Sequence, residues 1–172
     1  MKESELQILK DSALFRNIDA KEIESMLSCL AARKKKYGKG EYIYQIGDRV
    51  NAVGLVLSGR ITVEKEDYWG NRNIVAAMES GMLFAESYAC APDVPIGVSV
   101  TADTDSEILT MDIGKILTTC SSACSFHNGL IRNLVSLLAS KNLLMNEKLT
   151  FITQRSTRKK LLSYLSDRKS VV

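Results

Sequence analysis

The spacing of apolar positions changes twice along the chain. Leu6, Ile8, Leu9, Leu14 and Phe15 make a short apolar segment at the start. Asp19 is followed three residues later by Glu22, the spacing of a capping box. Ile23, Met26, Leu27 and Leu30 then fall at i, i+3, i+4 and i+7, which predicts a helix with one buried face. Cys29 lies on the flank of that face and reads as filler. From about residue 33 the period becomes two. Tyr42, Tyr44 and Ile46 alternate with Ile43 and Gln45, and Val53, Leu55 and Leu57 run into Ser58-Gly59 before Ile61 and Val63 resume the alternation. Two short strands around a tight glycine turn are expected there. Tyr68-Trp69-Gly70-Asn71 reads as a hairpin tip leading into Ile74, Ala76 and Met78. Further strands are expected over Ile96, Val98 and Val100, and over Ile108, Leu109, Met111 and Ile113. Glycines from Gly38 to Gly97 punctuate this stretch at roughly strand-length intervals. Short strands with turns this frequent predict a sandwich, barrel or jelly roll.

After residue 114 helical spacing returns. Ile131, Val135, Leu138, Asn142, Met145, Leu149 and Ile152 step by alternating fours and threes, the seam of a coiled coil. Asn142, its one polar member, is of the type that fixes register and oligomer state. The stretch would span ~33 Å as a helix, and at three heptads it needs partners to be stable. Leu130, Leu134, Leu137 and Leu144 supply a second apolar face. An amphipathic helix lying on its own domain would account for one such face; two faces point to a homodimer. Beyond Arg155-Ser-Thr157, the run Lys160-Leu-Leu-Ser-Tyr-Leu165 begins another amphipathic helix.

At 172 residues and 45% hydrophobic, the chain suits one well-packed domain with appended elements. No apolar run approaches the ~20 residues of a membrane span, and the polar N-terminus lacks a secretory core. Cys29, Cys90, Cys120 and Cys124 are too sparse for a disulfide scaffold, so a reduced cytoplasmic setting is expected. The net charge of +3 hides an asymmetry: residues 154–172 hold six basic residues against Asp167, while the rest holds 17 basic and 19 acidic. A basic end reads either as a polyanion contact or as a solvated helix face.

The order of these parts, with Lys39-Gly-Glu-Tyr-Ile43, Gln45-Ile-Gly-Asp48, Val56-Leu-Ser-Gly59 and Ser80-Gly-Met-Leu-Phe-Ala-Glu86, resembles the CRP/FNR family of bacterial transcription regulators. Arg158-Lys-Lys-Leu-Leu-Ser-Tyr-Leu165 is similar to the first helix of that family's DNA-binding domain. The resemblance implies a mainly β fold with flanking helices, a double-stranded β-helix or jelly roll of the cyclic-nucleotide-binding type, followed by a long dimerisation helix. It implies a sensor roll with N-terminal helices over 1–118, a dimerisation helix over 119–153, and a hinge with the first helix of a truncated DNA-binding domain over 154–172. Ile131, Val135, Leu138, Asn142, Met145, Leu149 and Ile152 would form the dimer seam. Arg155, Arg158, Lys159 and Lys160 would lie at the hinge near DNA. DNA would be met through a C-terminal domain missing here, RNA polymerase is an implied partner of the parent protein, and no membrane is involved.

In cyclic-nucleotide members of the family a Gly-Glu pair opens a short helical turn, and an Arg-Ser pair follows ten and eleven positions after the glutamate. Together they hold the cyclic phosphate and a ribose hydroxyl. Here the pairs read Ala85-Glu86 and Ile96-Gly97. Between Arg72 and Lys115 there is no lysine or arginine, against seven carboxylates. A phosphate buried there would lack its counter-charge at a cost of several kcal/mol, so tight binding of cyclic AMP or cyclic GMP is not expected. What remains is an expected effector pocket between roll and helix, lined by Met82, Phe84, Ala85, Glu86, Ile96, Gly97 and Val98, with Leu138 and Met145 from the helix. Ser99 and Asn142 would supply hydrogen bonds, and a neutral or cationic, partly apolar molecule would suit this lining. Simple core filling with no effector is the other reading.

No cofactor is expected. Cys120, Cys124 and His127 form a weak metal or redox constellation, better read as small buried or loop thiols. A metal-dependent jelly-roll enzyme needs two or three histidines on its strands, whereas His127 is the only histidine. No nucleophile–base pair can be assembled either. The expected function is sensing and dimerisation in a transcription regulator, not an enzyme; the alternative is a stand-alone module that regulates a protein partner.

Overall fold

The computed structural model describes residues 2–118, 125–153, 156–158 and 160–162, with backbone only at Ser125, Phe126, Phe151 and Ile152. The chain divides into two compact units, residues 1–134 and 135–172. In the first, helix α1 (Glu3–Asp11) and a short 3-10 turn (Ala13–Phe15) precede helix α2 (Ala20–Cys29). The expected cap is present: the Asp19 amide donates to Glu22 Oε2 at 3.1 Å. Ile23, Met26 and Leu30 are buried as their spacing predicted, while Cys29 is exposed and fills nothing.

Eight strands follow: β1 (Arg33–Tyr37), β2 (Tyr42–Tyr44), β3 (Ala52–Ser58), β4 (Arg60–Glu66), β5 (Arg72–Glu79), β6 (Leu83–Phe84), β7 (Ser99–Ala102) and β8 (Ser106–Asp112). They form two antiparallel four-stranded sheets, ordered β1-β8-β3-β6 and β2-β7-β4-β5. This is the expected jelly roll. One-turn helix α3 (Glu86–Ala89) lies between β6 and β7, and α4 (Ile113–Leu117) follows β8. The buried strand residues include Val53, Leu55, Leu57, Ile61, Val100, Ile108 and Met111, all at most 2% exposed.

Three expectations need correction. The strands around Gly59 are not a hairpin, because β3 and β4 lie in different sheets and the turn carries the chain from one to the other. Gly59 sits at φ +84°, and a Cβ there would lie 2.3 Å from Ser106 Oγ and 2.4 Å from the Asp105 carbonyl oxygen. Such a corner needs both the left-handed backbone and the missing side chain. Ile96 and Val98 precede β7 instead of belonging to it: the Ile96 amide donates to the Asp48 carbonyl and its carbonyl accepts from Gly47. Ile113 opens α4 after β8 has ended. The hairpin tip is as expected, with Asp67 Oδ1 accepting from the amides of Trp69 and Asn71. On β5 the register to β4 slips, Val63 facing Ala76 and Glu64 facing Ile74, so Val75 is the extra residue of a bulge.

The N-terminal helix is tied to the roll by Glu5, whose buried carboxylate accepts from the Lys2 amide and from Lys34 Nζ at 3.0 Å. The Lys2 amide first, and then Lys34, hold the Glu5 carboxyl below its ordinary value. A lowered folded-state pKa contributes stability that is complete above the unfolded value, about 4.3, and is lost as pH falls through the folded one. Glu5→Gln should therefore melt below the parent protein at pH 7, with the gap closing on acidification toward pH ~3. A gap independent of pH would contradict this.

Helix α5 (Ser125–Ile152) is continuous across the boundary between the units. Within the first unit Leu130 and Leu134 are fully buried, and Asn133 Nδ2 donates to the carbonyls of Leu14 (2.9 Å) and Arg16 (2.8 Å). In the second unit Val135, Met145 and Leu149 are about half exposed, at 58%, 56% and 49%. Leu143 and Leu144 are exposed too.

Candidate functional site

Strand β6 delivers Phe84 into the roll opposite Gly54 of β3. The ring lies so close to that backbone that a Cβ on Gly54 would meet its atoms at 2.3–2.8 Å. Tyr44 of β2 meets the ring edge-on, with centroids 6.4 Å apart. Burial above all, with Tyr37 and Asp48 nearby, pushes the Tyr44 hydroxyl above its ordinary value, so it stays a neutral group beside the ring. Immediately after Phe84 the backbone turns left-handed at Ala85, φ +63°, which starts α3. Glu86 then points inward and is 4% exposed. Burial and then the Glu86 charge both raise the Cys90 thiol, which keeps it protonated.

The second half of the lining comes from the segment before β7. Ile96 is 1% exposed, Val98 and Ser99 are half-buried, and Gly97 is exposed. A side chain on Gly97 would meet the Tyr88 hydroxyl at 3.4 Å, so α3 and this segment stand beside each other. Phe84, Ala85, Glu86, Ile96, Gly97, Val98 and Ser99 are thus all in the first unit, around α3 and the approach to β7. Met82 departs from them: it is 49% exposed and borders a hollow of about 350 Å³ with Ile8, Asp11, Ser80 and Gly81. Leu138, Asn142 and Met145 belong to the second unit, where Asn142 Oδ1 accepts from Asn146 Nδ2 at 3.0 Å.

Chemically, the first-unit lining is aromatic and aliphatic with one buried carboxylate. Arg60, on a neighbouring strand, is committed to an ion pair with Asp103. Ile96 adds a sealed apolar side chain, 1% exposed.

Other candidates disperse. His127 is 2% exposed, with Nε2 at 3.1 Å from the Lys115 carbonyl. Cys120 and Cys124 lie outside the described residues, as do Arg155 and Lys159; Arg158 and Lys160 are exposed. Among the described residues no group of three or more His, Cys, Asp or Glu is placed to hold a metal ion, and no helix is long and apolar enough to cross a membrane. The reading of the sequence missed the two bonds of Asn133, whose only signal was a lone amide beside the buried Leu130 and Leu134 positions.

Two antiparallel four-stranded sheets with a one-turn helix before the seventh strand define a jelly roll. The sequence profile of the Cyclic nucleotide-binding domain matches residues 34–123, and the chain belongs to that family. Among solved structures it is similar to a cyclic nucleotide-binding domain from Methylobacillus flagellatus (TM-score 0.73, 16% identity, covering 90% of this chain and 85% of that one). It is also similar to the Thermus thermophilus catabolite activator protein (TM-score 0.71, 24% identity), covering 83% of this chain and 63% of that one. A third is the sensor domain of the transcriptional regulator DNR from Pseudomonas aeruginosa (TM-score 0.64, 18% identity, 87% and 94% covered). At these identities the likeness is one of fold. No curated protein sequence matches the chain.

Proposed function

We propose that this chain is the effector-sensing and dimerising part of a CRP/FNR-type transcription regulator, working in the cytoplasm, whose roll does not respond to cyclic nucleotides. The sensor occupies 1–118, the dimerisation helix 119–153, and the hinge with the first helix of the DNA-binding domain 154–172. The function is regulatory and not enzymatic, and the parent protein meets DNA through its C-terminal domain, with RNA polymerase as a further partner.

The observation that carries the reading is the helix seam. Val135, Met145 and Leu149 repeat at coiled-coil spacing on a helix of 28 residues and are about half exposed in a single chain. Exposed apolar residues at a and d positions are what a second helix covers. In this mechanism an effector in the roll changes the populations of two arrangements of the paired helices, and residues 154–157 re-aim the DNA-binding domains. Within the first unit, Phe84, Ile96 and Val98 around Glu86, with Ser99, suit a neutral or cationic, partly apolar effector.

Sedimentation velocity across a wide concentration range tests the seam. A dimer is expected, and Asn142→Leu should keep or strengthen association while loosening register. Single chains at every concentration, or collapse of association in Asn142→Leu, would show that the seam is misassigned.

A further inference from the structure

The two sheets have four edge strands, β1 and β6 in one, β2 and β5 in the other. Three of these edges are protected by geometry: β6 has two residues, β2 three with a register shift, and β5 the bulge at Val75. Strand β1 is different. It pairs with β8 in unbroken register over five residues and reads Arg33-Lys34-Lys35-Lys36-Tyr37, the four cations all exposed. Lys39 follows, with no carboxylate between Ala31 and Gly40. A guard against edge-to-edge pairing needs little more than one well-placed lysine; four in succession exceed that need.

Their charge is only partly consumed. Lys34 is paired with Glu5, and Lys35 Nζ rests 4.6 Å above the Tyr37 ring, which leaves its charge in place. Arg33 and Lys36 carry no ion pair among the described residues. On a strand, Arg33 and Lys35 project to one face and Lys34 and Lys36 to the other, with same-face neighbours about 6.7 Å apart. The edge thus exposes two cations on each face, spread over ~10 Å of strand, with Glu107 of β8 opposite Lys36. The hollow beside Lys36, about 590 Å³, is also lined by Glu41, Asp105 and Glu107, which would repel a small anion. A row of cations instead fits a partner whose negative charge repeats along a line.

We propose that β1 is a cationic rail for the phosphodiester backbone of duplex DNA, a sequence-independent contact made by the roll itself. The choice of DNA over an acidic protein rests on the transcription-regulator reading above. Such a contact positions without specifying sequence and is strongly salt-dependent.

The test is fluorescence anisotropy of a labelled random-sequence duplex with the full chain, from about 50 to 200 mM salt. The variant Arg33→Ser/Lys35→Ser/Lys36→Ser keeps Lys34 and its tie to Glu5, and thermal melting checks that it folds. It should lower the slope of log affinity against log salt by about 2–3 and weaken binding at least ~10-fold at low salt. The same loss should appear in an Arg158→Ser/Lys160→Ser background, which removes charge from the basic end. An unchanged slope in the β1 variant overturns the proposal. So does equal competition by poly-glutamate at matched charge, which would assign the rail to an acidic protein. Sedimentation of the β1 variant separates the two readings: it should associate as the parent chain does, whatever happens to DNA.

Discussion

Gly54→Ala should destabilise the roll by about 3 kcal/mol, the upper end of what overpacking a core usually costs. Gly54 is buried in β3, a strand flanked by both β8 and β6, and the added methyl would overlap the Phe84 ring at 2.3–2.8 Å. Neither side can yield easily, because the backbone is held in two ladders and Phe84 is itself 1% exposed. Phe84→Ala alone should cost about 3–5 kcal/mol by opening a ring-sized hole. The two positions share one volume, so Gly54→Ala/Phe84→Leu should cost about 1–2 kcal/mol less than the sum of its single changes. Urea denaturation of the parent, Gly54→Ala, Phe84→Ala, Phe84→Leu and the double variant measures these effects. If Gly54→Ala unfolds with the parent midpoint, the ring does not occupy the place described.

The second large effect is a gain. Ala85→Gly/Ile96→Arg/Gly97→Ser should raise affinity for cyclic AMP by at least ~100-fold, the scale of a buried charge that finds its partner. Each exchange acts differently. Ala85 already holds a left-handed backbone at φ +63°, so glycine relieves strain of about 1 kcal/mol there. Ile96 is sealed in the first unit, and Ile96→Arg without ligand buries an unpaired guanidinium that should cost several kcal/mol. Gly97 is exposed beside Tyr88, with room for a serine. Cyclic AMP should therefore raise the melting temperature of the triple variant markedly and that of the parent chain not at all. A triple variant that folds and still ignores cyclic AMP would mean that residues 96–97 do not face the ligand space.

How far the sequence reveals this molecule depends on the element. Helix α2 is legible because Asp19, Glu22 and the Ile23–Leu30 spacing agree at cap and face. Strand β3 is legible as an apolar run, but β1 is not: as an edge strand it shows solvent on both faces, so Arg33–Lys36 carry no alternation. Ile96 and Val98 look like strand residues because they are apolar at period two, yet the Ile96 backbone is taken up by Gly47 and Asp48. Which sheet receives the chain after Gly59 is a long-range matter, decided by pairing with β7 and β8 far along the chain. At the site, Phe84, Glu86 and Ile96 are found by their chemistry and prove buried. Met82 shares the apolar character of Phe84 and Ile96, but it precedes β6 in the turn at Gly81 and borders Ile8 and Asp11 of α1.

We propose a roll that keeps its family's architecture but lacks the cation that would pair a cyclic phosphate. Titration calorimetry of the unaltered chain with cyclic AMP and cyclic GMP tests this most directly. The predicted result is no saturable heat up to about 1 mM nucleotide, which bounds the binding free energy near −4 kcal/mol. A saturable isotherm with micromolar affinity for either nucleotide would contradict it.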